Sequence, residues 1–454
     1  MILFDQHEND ILEKLSRDAS ASGRIDPGLY DVYGVKKGLR DINGVGVLAG
    51  LTQIGEVIGH DVSEGKRIPA PGRLIYRGYD VSEIVENYIR DDRFGFEETI
   101  YLLLFGRLPG CGELMAFNGL LDKFRALPDR FIKESILTSP CHDMMNSLAR
   151  SVLALYSYDE NADDISIDNV IRQSLQLIAN LPMLTVYGYQ AFLHYHCHDS
   201  LTIHNPKPGL GTAENILHML RTDSSYTRAE ARLLDLLLVL HAEHGGGNNS
   251  SFITHIATST ATDTYSVIAA ALGSLKGRRQ GGANVMAALM LDDLKDHVSD
   301  WANEKELARY LQAILDRKAF DGSGYIYGFG HAVYSISDPR AEMLRKYSKV
   351  LAEEKGFTDE FRLYETVAKL APDVIRKSRK IYKGVCVNVD FYSGFVFKML
   401  GIPRELFTPL FAVSRIVGWS AHRIEELVND GKIIRPAYKS IASRHDYVGI
   451  SDRA

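Results

Sequence analysis

Apolar side chains in this chain recur at the spacing of a helix face far more often than at that of a strand, and this periodicity restricts the fold more than any other feature. Leu307, Tyr310, Leu311, Ile314 and Leu315 line one face of a predicted helix. Phe96 to Phe105 predicts a second, closed by Gly106, which tolerates the left-handed angles of a helix end, and by Pro109, which cannot continue one. Only Arg73-Leu-Ile-Tyr-Arg77, bounded by Pro71-Gly72 and by Gly78, has the composition of a strand. The expected fold is therefore all-α, with room for one short N-terminal β-hairpin.

A chain of 454 residues, 45% of them hydrophobic, can bury a large core and is long enough for two domains. Its net charge of -6 comes from 52 basic and 58 acidic residues without long single-sign runs, which gives no electrostatic reason to expect nucleic acid or a membrane surface. Any anion must be held by local arginines. Cys111, Cys141, Cys197 and Cys386 are scattered and form no C-x-x-C pair, so neither a disulfide framework nor a thiolate zinc site is expected, and a reducing compartment fits. The first ten residues turn acidic at once and lack the basic start and apolar stretch of a signal peptide, so the protein is expected in the cytoplasm. The apolar run Leu233 to Leu240 is broken by charge well short of the roughly 20 residues that span a bilayer.

Two glycine-rich turns, Gly281-Gly282 and Gly322 to Gly330, can adopt backbone angles closed to other residues and are natural crossing points between domains. Neither is a phosphate loop, since G-x-x-x-x-G-K-[ST] is absent and the run Gly44 to Gly50 misses G-x-G-x-x-G by one residue. Four segments carry ionisable groups that packing alone does not ask for. In His241-Ala-Glu-His244-Gly-Gly-Gly, an apolar helix ends and its last turn holds two histidines, which either favour the helix dipole or serve chemistry. Zinc is the competing reading, but H-E-x-x-H is absent and no third ligand is near, so no metal is expected. His331 follows a flexible turn, and Arg340 comes nine residues later. Asp390 stands between Val389 and Phe391, surroundings that would raise its pKa into a general base's range; a helix cap is the rival reading. Arg415 and Arg435 offer guanidinium forks suited to carboxylates, although a lone arginine is more often a surface ion pair. A further cluster, His194-Tyr-His-Cys-His198, reads as a solvated helix end.

Together these segments resemble the citrate synthase family, from Gly38-Leu-Arg-Asp-Ile-Asn-Gly44 and Leu74-Ile-Tyr-Arg-Gly-Tyr79 through to Arg435-Pro436. The resemblance implies condensation of acetyl-CoA with oxaloacetate and water to give citrate and CoA, with no cofactor beyond the acyl-CoA substrate. It implies that Asp390 is the base taking a proton from the acetyl methyl group and that His331 is the acid serving the oxaloacetate carbonyl. His244, Arg340 and Arg415 match oxaloacetate ligands, and Gly328, Phe329 and Gly330 match the loop that wraps the CoA adenine. Arg435 matches an arginine given by the other subunit, which makes a homodimer with shared active sites the expected unit.

One position departs from the family pattern. Where the family has a histidine before Gly-Gly-Ala-Asn, this chain has Gln280. That histidine holds the thioester carbonyl while the enolate forms, and losing such a donor costs on the order of 10²- to 10³-fold in rate. Gln280 therefore points to a slowed or retuned synthase, or to a homologue that binds without efficient turnover. A 2-methylcitrate synthase using propionyl-CoA is the alternative within the family, because one methylene is worth only about 1 to 3 kcal/mol of discrimination. The resemblance also implies a large helical domain from residues 1–282 and 402–454 and a smaller one, 283–401, closing over a cleft.

Overall fold

The computed structural model describes residues 4–41, 45–63, 66–277, 280–378 and 384–453, so Met1 to Leu3, Gly44 of the early glycine-rich run, and Arg278 and Arg279 beside Gln280 lie outside it. Packing divides the chain into two compact units that meet in sequence at Leu51 and Thr52. The first contains α1 (Gln6–Ser22) and α2 (Gly28–Val32). A capping box between Asp5 and Glu8 starts α1.

The second unit opens with β1 (Gly55–Ser63), β2 (Lys66–Tyr76) and β3 (Tyr79–Asp80), an antiparallel sheet in that order. The predicted strand at Arg73 lies in β2, but the sheet is larger than the hairpin expected. The sequence hides β1 because most of it stays at the surface, so it needs no apolar alternation. Helices follow: α3 (Val81–Arg90), α4 (Phe96–Phe105), α5 (Cys111–Phe124), α6 (Met144–Tyr156), α7 (Ile167–His196) and α8 (Thr212–Leu220). Then come α9 (Arg228–His241), α10 (Asn249–Thr258), α11 (Thr264–Leu275), α12 (Ala283–His297) and α13 (Glu304–Leu315). The last are α14 (Pro339–Glu354), α15 (Thr358–Ser378), α16 (Val389–Met399) and α17 (Phe407–Val428). The helix predicted at Phe96 spans the residues expected, and Gly106 ends it in the left-handed conformation. Its first N–H groups, on Gly95 and Phe96, donate to the buried carboxylate of Asp235.

The core is organised around α17. Every residue from Phe407 to Arg423 is buried, as befits a helix enclosed on all sides rather than one lying at a surface. It packs on α4, α7, α9 and α10. Contact with the end of α9 is close enough to require glycine: a Cβ on Gly418 would lie 2.6 Å from the Ala242 carbonyl oxygen, to which the Gly418 N–H donates at 3.1 Å. This approach sets the arginine three residues earlier against the turn that leaves α9.

Candidate active site

Arg415 is fully buried within α17. Its Nε donates to the His241 carbonyl at 2.6 Å, at the last residue of α9, and its Cζ stands 4.8 Å from the centre of the Phe411 ring. Nη1 and Nη2 have no hydrogen-bond partner among the described residues. Burial pulls this guanidinium down to about 10, against the opposing pull of Glu243. Glu243 is committed elsewhere: its Oε1 pairs with His422 Nε2 at 3.0 Å, both side chains fully buried. Burial opposes charge on each partner, but the pairing prevails, lifting His422 to about 9 and holding Glu243 below the usual carboxylate range. Arg415 is thus a buried cation with two unspent donors, which an anion would satisfy.

His244 lies beyond the end of α9, not in its last turn as the sequence suggested, because the helix stops at His241. Its ring meets His331 at 5.0 Å and Tyr334 at 5.7 Å between centroids, and its buried Nε2 lacks a partner among the described residues. Burial and the nearby Arg340 hold both His241 and His244 well below the ordinary imidazole range, so both rings are neutral donors. His331 Nδ1 accepts the N–H groups of Val333 and Tyr334, each at 3.1 Å, which places its proton on Nε2. The loop carrying it leans on the sheet, with the Gly72 N–H donating to Ser337 Oγ at 3.2 Å and Tyr334 Oη to the Arg73 carbonyl at 3.4 Å.

Two helix caps align the remaining charged groups. Asp338 caps α14 by accepting the Arg340 N–H at 3.0 Å, and also grips that arginine's side chain through Nε at 3.0 Å and Nη2 at 2.7 Å. The same carboxylate accepts the Val389 N–H at 3.2 Å and so ties α14 to α16. Asn388 caps α16: its Oδ1 accepts the Asp390 N–H at 3.0 Å, its Nδ2 donates to the Gly330 carbonyl at 2.9 Å, and its own N–H donates to the Gly328 carbonyl at 2.9 Å. The cap is therefore Asn388, and the rival reading of Asp390 as a cap is corrected. Phe329 pairs with Val387 in an isolated antiparallel bridge, and its ring stands 5.0 Å from that of Phe391. At Gly328, where φ is 82°, a Cβ would come within 2.8 Å of the Phe391 Cβ, so only glycine fits. Burial pushes the Asp390 carboxyl up to about 6, with Asp338 adding to the rise and Arg340 and Arg415 opposing it.

Gln280 sits in the turn before α12, and α12 packs on α16. Its Nε2 donates to Asn248 Oδ1 at 2.8 Å and to Ser250 Oγ at 2.9 Å, while its Oε1 lies 3.0 Å from Ser274 Oγ. Both amide N–H groups are spent within the protein. Arg435 is not part of the cluster. It is exposed on the C-terminal tail, one residue after Ile434, whose N–H donates to Ser259 Oγ. His194 and His198 share no helix face, because α7 ends at His196 and His198 has turned to φ 60°. No group of three His, Cys, Asp or Glu among the described residues could hold a metal.

Sequence reasoning missed Asp338, Asn388, Glu243 and His422. The first two were within reach, since an Asp or Asn two residues before a candidate group, once directly before proline, is the signature of a helix start. The last two depend on a contact between helices that no local pattern reveals. The assembled site joins a cationic patch, neutral imidazole donors and a carboxylate titrating near neutrality, a combination suited to gripping a small dianion and removing a proton beside it.

A family model described as citrate synthase, C-terminal domain, matches residues 43–437. A citrate synthase of Haloferax volcanii is 32% identical over 84% of this chain and 93% of its own length. A 2-methylcitrate synthase of Shewanella oneidensis is also 32% identical, over 84% and 90%. Among solved structures, a ternary complex of Thermoplasma acidophilum citrate synthase with carboxymethyl coenzyme A and oxaloacetate superposes with a TM-score of 0.74 at 26% identity, covering 92% of this chain and 99% of that one. With a matching sequence model, relatives aligned nearly end to end and this helical architecture, the chain belongs to the citrate synthase family.

Proposed function

We propose that the protein condenses an acyl-CoA with oxaloacetate, giving citrate and CoA from acetyl-CoA and water. The observation that carries this reading is the buried Arg415, whose two terminal nitrogens have no partner among the described residues, beside Arg340, His244, His331 and Asp390. Oxaloacetate carries two carboxylates for the arginines and a ketone for the His331 Nε2–H. Asp390 takes a proton from the acyl methyl group; the resulting enolate carbon attacks the ketone carbon, and the ketone oxygen gains its proton from His331. Water then cleaves the citryl thioester and releases CoA. The turn Gly328 to Gly330, clamped to Asn388, borders the acyl-CoA. Closure of a small domain, 283–401, over the large one would exclude water from the enolate.

A chain that binds with little turnover is the second reading, and the bonding of Gln280 favours it. To hold the thioester carbonyl, Gln280 must first give up a bond to Asn248 or to Ser250. Chain length at the acyl group, acetyl or propionyl, depends on contacts worth about 1 to 3 kcal/mol.

A CoA-release assay with oxaloacetate, offering acetyl-CoA and propionyl-CoA separately, tests the class and the substrate together. Release is expected with at least one of them, and Asp390→Asn should abolish it while oxaloacetate still binds. Because the Asp390 carboxyl is raised to about 6, its base form is full above that pH and is lost as the pH falls through it. The rate should accordingly decline below pH 6 by about tenfold per unit. Parent-level turnover by Asp390→Asn would remove Asp390 from the chemistry.

In the same assay Gln280→His should raise the rate, by up to about 10²-fold, with oxaloacetate affinity little changed. An unchanged or lower rate would deny position 280 its role at the thioester.

Arg435, exposed on the tail, suits donation across a two-fold interface, so the proposed unit is a homodimer in which each site receives one arginine in trans. Mixing the inactive homodimers Asp390→Asn and Arg435→Ala and allowing subunit exchange should restore activity, since a heterodimer then holds one site free of both defects. No recovery after proven exchange would place Arg435 in its own subunit's site or outside any site.

A further inference from the structure

His241 is not among the oxaloacetate ligands of the proposed site, yet it has the environment of one. Its side chain is fully buried, and neither Nδ1 nor Nε2 has a hydrogen-bond partner among the described residues. An enclosed imidazole normally bonds at least one nitrogen, because leaving both unpaired costs the desolvation of a donor and of an acceptor. The ring lies 4.4 Å from that of Phe411, and the Arg415 guanidinium carbon stands 4.8 Å from the centre of the same Phe411 ring. The His241 carbonyl, in turn, accepts Arg415 Nε at 2.6 Å. His241 thus aims Arg415 with its backbone and shares an aromatic support with it through its side chain.

We infer that His241 is a further ligand of the bound 2-oxo dicarboxylate, one ring nitrogen donating a hydrogen bond to the carboxylate that Arg415 grips. The inference rests on the proposed function for the identity of that anion. Its chemistry is consistent: a neutral imidazole supplies one N–H, a carboxylate accepts and cannot donate, and the adjacent guanidinium supplies the counter-charge. A metal ion is a poor occupant beside two arginines, and the described residues offer no third ligand. The remaining alternative is a packing role, with the ring merely filling space under Phe411.

These roles separate on two readouts, oxaloacetate affinity by calorimetry and the unfolding temperature without ligand. His241→Phe keeps a planar ring and removes both unpaired polar atoms, so the ligand-free variant should unfold at the same temperature or higher. Its affinity for oxaloacetate should fall at least tenfold, roughly the worth of one hydrogen bond to a charged group. His241→Gln, which keeps an N–H, should recover part of that loss. A His241→Phe protein that binds oxaloacetate as tightly as the parent overturns the inference, and so does one that loses stability along with affinity, which marks a packing residue. A parent protein that fails to bind oxaloacetate at all would instead sink the proposed function, and with it the premise about the anion.

Discussion

A guanidinium with no carboxylate of its own lies within the helix around which this fold is packed, and the rest of the site follows from that arrangement. Burying a cation is costly unless something compensates it. Of the neighbouring acids, Glu243 is drawn to His422, Asp338 is spent on Arg340, and burial pushes the Asp390 carboxyl up, disfavouring its charged form. Arg415 therefore retains two unpartnered nitrogens. A small dianion, as proposed, would supply what the fold withholds, so part of the cost of folding around Arg415 would be recovered on binding.

Geometry around that cation is kept in part by hydrogen bonds to the backbone. Asp338 and Asn388 are ordinary helix caps by position, yet each also ties together parts of the site. Asp338 orients Arg340 and holds the start of α16, while Asn388 joins the His331 turn to the helix that carries Asp390. His331 and Asp390 thus sit on two segments fastened to one another through Asn388. Such fastening limits the drift of reacting groups, where a displacement of about 1 Å can cost 10²-fold in rate.

Much of this was legible in the sequence, for definite reasons. Helix ends announce themselves chemically, so α4 and its closure at Gly106 were readable, and ionisable residues beside a glycine turn, such as His331, or between apolar neighbours, such as Asp390, stood out from residues that packing explains. What stayed hidden depends on distant parts of the chain. Strand β1 carries no periodic signal, the bond between Glu243 and His422 spans helices far apart in sequence, and the bonding of Gln280 requires Asn248 and Ser250 to be folded against it. Arg435 shows the limit from the other side, since its proposed role is fulfilled only in another copy of the chain.

The central claim, a buried cationic site completed by a dicarboxylate, is tested most directly by following the unfolding temperature while oxaloacetate is titrated and comparing it with pyruvate, a 2-oxo acid with one carboxylate fewer. Binding to the folded state alone should raise that temperature, and the rise should continue with the logarithm of concentration beyond the dissociation constant. Oxaloacetate should stabilise the protein at concentrations where pyruvate has little effect. No shift with oxaloacetate, or equal shifts with both acids, would contradict the account.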